Sequence, residues 1–350
     1  MHVIVHVGAP KTGSTAIQMA LEQQSHELQS QGLYVYNRPW MTPLTLFTSF
    51  VNRNAPLMPG IRKYFGSPSQ AIAWGNTCWE ELETHVQQHR PPLTLISSEF
   101  FFRMENPKRL LNRLRKTFDK ITLLAYVRDP LDLYASATDQ FIRSGVRFQD
   151  LQSPQSFVYA AGTQLRQFAS LVDPKDIVVR NFSRSNLVNN DILDDFCNAV
   201  SEISGKPLLL QQRPHTKNES LSGAASAWLL TANETFVSTT KADDRHILER
   251  RSDVIRRLRD AELLKDYPKL KLTEPSLRAH LAHNAAADCE WINNTFLKGQ
   301  IPLLTDRPLN TRPAEDSRVA MHDWIFSYLT PEAINDIITS LVPGDASPTA

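Results

Sequence analysis

The chain opens with the stretch HVIVHVGAPKTGST at residues 2–15, and this stretch decides the fold. A mostly apolar run of strand length leads directly into a loop that is bounded by two glycines and contains one lysine. Helical periodicity follows, so we expect a helix to begin at Ser14 or Thr15. Its inner face is predicted to carry Ile17, Ala20, Leu21 and Leu28. Such a loop favours a bound phosphate, because it presents free amides and the positive dipole end of the helix.

The lysine of this loop stands in an unusual position. In the nucleotide-triphosphatase loop G-x-x-x-x-G-K-[ST], the lysine follows the second glycine and the next hydroxyl side chain holds magnesium. Gly8 and Gly13 have that spacing, but the lysine is Lys11, and Ser14 stands where the lysine would be. The loop therefore predicts an anion site and disfavours the usual site for a magnesium triphosphate.

The rest of the chain repeats the alternation of strand and helix patterns. Apolar runs of strand length recur at residues 3–7, 93–97, 121–127 and 177–179. Stretches with helical periodicity separate them, and we expect Pro107 to begin a helix through Lys116 and Pro130 to begin one that passes Phe141. This alternation predicts a three-layer α/β/α fold with a central parallel sheet.

We expect residues 1–350 to form a single domain with local additions. Residues 37–79 are rich in proline, aromatic and small polar side chains, which indicates an insertion or lid. Residues 214–340 are predicted to be mainly helical, and residues 343–350 to form a flexible tail.

Composition excludes several classes of function. Lysine and arginine (38) balance aspartate and glutamate (37). A net charge of +1 lacks the excess of positive charge that is typical of nucleic-acid-binding proteins. The 3 cysteines are far apart, which predicts neither a disulfide framework nor a zinc site. A strand at residue 2 leaves no room for a signal peptide, and no apolar run approaches the roughly 18 residues of a membrane span. We therefore expect a cytoplasmic protein.

Polar clusters follow two further strands. Ser97-Ser98-Glu99 ends one of them, and Arg128 ends another, with Ser136 eight residues later on the following helix. Ligands of an open parallel sheet bind beyond the carboxyl ends of its strands. Arg128 and Ser136 can converge there on a second phosphate, although Arg128 can instead pair with a nearby aspartate. Glu99 can likewise cap a helix or bind Arg103.

These residues carry a family resemblance. PKTGST at residues 10–15 resembles the 5′-phosphosulfate loop, P-K-[ST]-G-[ST]-[ST], of sulfotransferases that use 3′-phosphoadenosine 5′-phosphosulfate. Arg128 and Ser136 resemble the 3′-phosphate motif of that family, an arginine and a serine eight apart after a buried strand. Residues 176–182 also resemble a later strand of bacterial members. The late R-K-G stretch of the cytosolic animal branch is absent.

The resemblance implies a P-loop NTPase-like sulfotransferase fold and transfer of a sulfuryl group to a hydroxyl of a carbohydrate or small-molecule acceptor. The donor would be 3′-phosphoadenosine 5′-phosphosulfate and the product 3′,5′-adenosine bisphosphate, with no metal. Lys11 and Glu99 would be catalytic, and residues 214–340 would lie on the acceptor side. The nucleotide would be bound by Lys11, Thr12, Gly13, Ser14, Thr15, Arg128 and Ser136.

Two other functions stay open at the level of sequence. A nucleotide-dependent kinase of related fold would require a lysine beside the second glycine, and Ser14 occupies that position. A non-catalytic nucleotide-binding protein would retain the loop, but it would have no need of Lys11 and Glu99 together.

Overall fold

The computed structural model describes residues 1–38, 41, 43–213, 220–238, 245–305 and 316–342. The chain divides into two compact units. The first comprises Met1–Asp129, Ala160–His215 and Asp288–Leu303, and the second comprises Pro130–Tyr159, Thr216–Ala287 and Leu304–Ala350. The tail predicted at 343–350 lies outside the described residues, as do parts of the region 214–340.

A five-stranded parallel sheet forms the centre of the first unit, which confirms the predicted sheet. The strands are β1 (His2–His6), β2 (Leu33–Val35), β3 (Leu93–Ser97), β4 (Lys120–Val127) and β5 (Ile177–Asn181). Their order is β2-β3-β1-β4-β5, and His6 pairs with Ser97 on one side and Leu124 on the other. Four strands overlap the predicted runs, whereas the three-residue edge strand β2 was not predicted.

One or two α-helices lie between successive strands, and the described chain after β5 contains α-helices and no further strand of the sheet. They are α1 (Ser14–Gln23), α2 (Ser25–Ser30), α3 (Pro59–Arg62), α4 (Pro68–His89), α5 (Pro107–Leu114), α6 (Pro130–Arg143), α7 (Ala160–Ala169), α8 (Ile192–Ser204), α9 (Gly223–Ser238), α10 (Arg245–Asp260), α11 (Pro275–Thr295), α12 (Ser317–Phe326) and α13 (Pro331–Leu341). The start of α1 at Ser14 and the extension of α6 past Phe141 are confirmed, while α5 ends two residues before Lys116.

Helices cover both faces of the sheet. On one face, Ile4 and Leu124 join Ile17 of α1 and Phe196 of α8 in one buried cluster. Leu28 belongs to the same cluster but lies on the separate helix α2. Val3 and Val5 point to the opposite face, because side chains alternate along a strand, and both are fully buried. Burial of each such aliphatic side chain contributes about 1.5–3 kcal/mol.

The predicted insertion at residues 37–79 is packed against α4, whose first twelve residues it includes. Ser67 caps α4 by accepting a hydrogen bond from the amide of Gln70, and proline follows at the first helical position. The indole Nε1 of Trp79 donates to the carbonyl oxygen of Leu46 at 3.0 Å. A Cβ at Gly75 would lie 2.3 Å from the amide nitrogen of Ser49, so only glycine allows this close approach.

The second unit is built around α6 and α9. Ser226 on α9 donates to Asp139 on α6 at 2.8 Å, and Asp139 also forms an ion pair with Arg143 one turn along. Asn233 donates to the carbonyl oxygen of Ile142 at 2.9 Å. These bonds satisfy buried polar groups between the two helices. None of the helices in the described ranges combines the length and the apolar composition that a membrane span requires.

Candidate functional site

Three loops meet at the carboxyl edge of the sheet. The Lys11 loop follows β1, Glu99 follows β3 by two residues, and Arg128 follows β4 directly. Strand β1 lies between β3 and β4, and the strand order changes direction there. A parallel sheet opens a crevice at such a switch point, where ligands bind. The sheet topology therefore brings these three predicted side chains to one edge.

The backbone of the Lys11 loop is held in a left-handed conformation at two positions. The φ angles are 63° at Lys11 and 80° at Gly13. Left-handed φ costs a residue with a side chain roughly 1–2 kcal/mol, so Lys11 is strained and Gly13 is not. A Cβ at Gly13 would also lie 2.9 Å from Cγ1 of Ile192. Residues of this conformation build backbone nests, in which successive N–H groups face one anion.

The first turn of α1 has no protein cap. Gly13 is its N-cap residue, and no side chain accepts a hydrogen bond from the turn. Within the part of the chain that the structure describes, the amide N–H groups of Thr12, Gly13, Ser14 and Thr15 have no acceptor. A helix start leaves four such donors, which carry the positive end of the helix dipole. The arrangement suits a phosphate group.

The three hydroxyl side chains of the loop differ in what they can do. Thr12 is buried and donates to the carbonyl oxygen of Ala9 at 2.7 Å, so its hydroxyl proton is used within the loop. Ser14 is also buried, and its Oγ has no partner among the described residues. Thr15 is exposed. A Cβ at Gly8 would lie 2.0 Å from the Oγ of Ser14, which explains why glycine is required there.

Arg128 forms a hydrogen bond with the same loop. Its Nη1 donates to the carbonyl oxygen of Lys11 at 3.2 Å, and its guanidinium carbon lies 5.7 Å from the centroid of the Phe182 ring. A guanidinium has five N–H donors in a fixed fork, a geometry that suits the oxygen atoms of a phosphate group. This contact joins the loop that follows β1 to the end of the neighbouring strand β4.

Glu99 begins a 3-10 helix, Glu99–Arg103, and is half-buried. The cap of this helix is Ser98, whose Oγ accepts from the amide of Phe100 at 3.3 Å. In the described residues, the side-chain carboxylate of Glu99 forms no hydrogen bond and no ion pair, including with Arg103. The helix cap and the arginine pair, which were the alternatives for this carboxylate, are therefore not what the structure contains.

Ser136 lies on α6 and is half-buried. It belongs to the second unit, whereas Arg128 belongs to the first. Their convergence on one phosphate therefore stays a prediction.

His6, which sequence reasoning gave no role, supports the loop from the end of β1. Its Nδ1 lies 2.8 Å from the Oγ of Ser97, and its ring packs edge-on against Tyr126 and Phe196. Burial lowers the pKa of His6 to about 3, so the imidazole is neutral at physiological pH. The sequence does contain a signal for this role, a histidine at the end of an apolar strand, because a buried polar side chain requires a hydrogen-bond partner.

A second missed group, Asp195, connects α8 to the sheet. Asp195 is fully buried and accepts hydrogen bonds at 2.7 Å from the hydroxyl of Tyr126 on β4 and from Nη2 of Arg180 on β5. Burial, followed by the charge of Asp195, raises the pKa of Tyr126 well above its ordinary value. Ile192 of the same helix packs against Gly13, so the hydrogen bonds of Asp195 hold in place a helix that borders the Lys11 loop.

Neither a protein-family model nor a curated protein matches this chain. Three solved structures are similar to it, and all are described as sulfotransferases or sulfotransferase domains. The sulfotransferase from Alicyclobacillus acidocaldarius is 12% identical, with a TM-score of 0.36, and the match covers 66% of this chain and 91% of that one. The sulfotransferase domain of the Synechococcus PCC 7002 olefin synthase is 13% identical, with a TM-score of 0.38 and coverages of 73% and 94%.

The sulfotransferase domain from the curacin biosynthetic pathway is 13% identical, with a TM-score of 0.40, and the match covers 81% of this chain and 96% of that one. At these identities and TM-scores, nothing about the family or the activity of this chain follows from the likeness.

Proposed function

We propose that this chain is a sulfotransferase that moves a sulfuryl group from 3′-phosphoadenosine 5′-phosphosulfate to a hydroxyl of an acceptor. The observation that carries the proposal is the Lys11 loop. Lys11, whose backbone is strained, lies in the loop just before α1, and no side chain of the described residues caps the first turn of that helix. The loop lies at the switch point of the parallel sheet, and Arg128 donates a hydrogen bond to it. Proteins retain such strain mainly at functional sites.

The donor set of the loop fits a nucleotide with two separate phosphate groups. The amides of residues 12–15, the unpartnered hydroxyl of Ser14 and the exposed hydroxyl of Thr15 would hold the 5′-phosphate. Thr12 would contribute its amide, since its hydroxyl proton is donated to Ala9. Arg128 would bind the 3′-phosphate through charge-assisted hydrogen bonds, with Ser136 as the second donor.

The bound nucleotide supplies an activated sulfuryl group and a good leaving group. Glu99 would accept the proton of the acceptor hydroxyl while the acceptor oxygen forms its bond to sulfur. The bond between sulfur and the bridging phosphate oxygen breaks, and the ammonium of Lys11 would neutralise the charge that develops on that oxygen. The proton passes from Glu99 to solvent. The insertion at 37–79 and the helical region 214–340 would supply the acceptor side.

The nucleotide preference distinguishes this function from the alternatives. Differential scanning fluorimetry with 3′,5′-adenosine bisphosphate should raise the Tm, because a ligand at a hundred times its Kd stabilises the folded state by about 2.7 kcal/mol. ATP with magnesium should raise the Tm less. Stabilisation by ATP with magnesium alone would favour a kinase and contradict the proposal.

Paired variants separate catalysis from binding. Glu99→Gln should lower turnover by about 10²–10⁴-fold while adenosine bisphosphate still binds, because only the base is lost. Lys11→Ala should lower turnover by roughly 10²–10³-fold. The exposed Glu80 and Lys108 offer matched controls, and Glu80→Gln and Lys108→Ala should leave transfer of labelled sulfuryl unchanged. Binding without any transfer to a hydroxyl library would instead favour a non-catalytic nucleotide-binding protein.

A further inference from the structure

A cavity of about 650 Å³ lies in the first unit, between the segment that follows β2 and the segment that follows β3. Its volume is within the range of roughly 300–1,000 Å³ that is typical of small-molecule sites. The walls are mainly apolar: Phe47, Ile61 and Met104 line it and are buried, and Phe50 and Ile72 add further apolar surface. The lining thus favours a ligand with an apolar body.

Positive charges outnumber negative charges among the side chains that line this cavity. Three arginines, Arg53, Arg103 and Arg109, line it together with one carboxylate, Glu105. Within the described residues, none of the three guanidinium groups has a carboxylate within salt-bridge distance. Unpaired guanidinium groups around one apolar cavity favour a ligand that brings its own negative charge.

Arg109 is held in place by neutral groups. Its Nη1 donates to the carbonyl oxygen of Phe50 at 2.9 Å, and its guanidinium carbon lies 5.5 Å from the centroid of the Phe50 ring. By contrast, Arg113 one turn further along α5 pairs with Glu83 at 2.9 Å. The neutral anchors orient Arg109 without neutralising it, so its charge remains available to a carboxylate or phosphate.

The cavity also lies close to the carboxylate that we propose as the base. Glu99 and Arg103 are the two ends of one 3-10 helix, and Arg103 lines the cavity. At about 2 Å per residue, this helix separates their Cα atoms by roughly 8 Å. Glu99 itself does not line the cavity, so a ligand whose anionic group faces the arginines must extend beyond the cavity for its hydroxyl to reach Glu99.

We propose that the acceptor is a hydroxylated apolar acid, whose apolar body fills this cavity and whose anionic group binds Arg103 and Arg109. This inference rests on the proposed function for the identity of the reacting hydroxyl, but the binding itself needs no sulfuryl donor. A neutral sugar can bond to Ser49, Asn52 and Asn106 of the lining, but it offers neither an apolar body for the apolar walls nor a negative charge for the arginines. A cationic acceptor is repelled by the arginines.

The test compares two ligands of nearly equal shape, 6-hydroxy-2-naphthoate and 6-hydroxy-2-naphthamide, by isothermal titration calorimetry on the full chain without nucleotide. The acid should bind at least tenfold more tightly than the amide. The double variant R103Q/R109Q should reduce the affinity for the acid to that for the amide and leave the amide unaffected. Arg62, an exposed arginine of the same segment that does not line the cavity, provides the control Arg62→Gln, which should change neither affinity.

A third variant locates the apolar body. Ile72→Trp should fill part of the cavity and lower the affinity for both ligands. The Tm of this variant shows whether the chain is folded. Equal binding of acid and amide, no effect of the double variant, or no binding of either compound at millimolar concentration would each overturn the inference. Binding of adenosine bisphosphate to the same variants reports on the proposed function separately. Tight binding of the acid without transfer would contradict its role as the acceptor and leave the sulfotransferase itself to the nucleotide and library experiments.

Discussion

Mild acid should destabilise the protein through His6, and the structure sets the size of the effect. Burial lowers the pKa of His6 from 6.5 to about 3, so the folded state keeps the imidazole neutral while the unfolded state takes up a proton below pH 6.5. Stability that is fully present above pH 6.5 is therefore lost as the pH falls toward 3. Each pH unit costs up to about 1.4 kcal/mol, which gives roughly 3 kcal/mol between pH 6.5 and pH 4.

His6→Asn removes this titration and keeps a polar atom near the Oγ of Ser97. Urea denaturation of both proteins between pH 7.5 and pH 4 gives two curves of unfolding free energy, and we expect the parent to lose about 3 kcal/mol more than the variant. His2, whose pKa is lowered by burial and then by Lys120, contributes equally to both curves. The exposed His26 supplies the control His26→Asn, which should follow the parent. Parallel curves for His6→Asn and the parent would refute the reasoning.

The remaining predictions concern the surroundings of the loop. Asp195→Asn weakens the charge-assisted hydrogen bonds from the half-buried Arg180, which keeps Glu202 at 3.7 Å, and should lower the free energy of unfolding by about 1.5–3 kcal/mol. Asp194→Asn, in a more exposed pair, should cost under about 1 kcal/mol, and equal losses in urea denaturation would contradict this. Gly8→Ala places a methyl group against the Oγ of Ser14 and should cost about 1–3 kcal/mol, and an unchanged Tm would show that the loop adapts. Thr12→Val removes a buried hydrogen bond and should lower the free energy of unfolding by about 1–2 kcal/mol in the same denaturation assay. Calorimetry should show weaker binding of adenosine bisphosphate to this variant. An unchanged free energy of unfolding would mean that the bond contributes nothing to stability.

Local patterns predicted the elements that are long or sharply bounded. Four apolar runs became strands, and Pro107 and Pro130 each begin a helix, because proline suits the first helical turn. Strand β2 was missed, since three residues at the edge of a sheet carry too little pattern to be distinguished from a loop. Leu28 was assigned to the first helix because periodicity continued through the break at Gln24.

The candidate site was only partly predictable. The sequence predicts that Lys11, Arg128 and Glu99 lie at one edge of the sheet, because each follows a strand closely and parallel strands end at one edge; the strand order agrees with this placement. The different contacts of the loop hydroxyls could not be predicted, since they depend on the neighbours of each one: Thr12 bonds to Ala9, and the Oγ of Ser14 has no partner among the described residues.

The class of fold and the glycine-bounded loop around Lys11 were readable in the sequence, because both depend on short-range order along the chain: strand-length apolar runs, and two glycines at a fixed spacing. Three features appear only in the folded chain: the strand order that places β1 between β3 and β4, the buried contacts of His6 and Asp195, and the cavity that three arginines line. Each of these depends on residues far apart in the chain, whose contacts are set by packing and not by any pattern along the sequence.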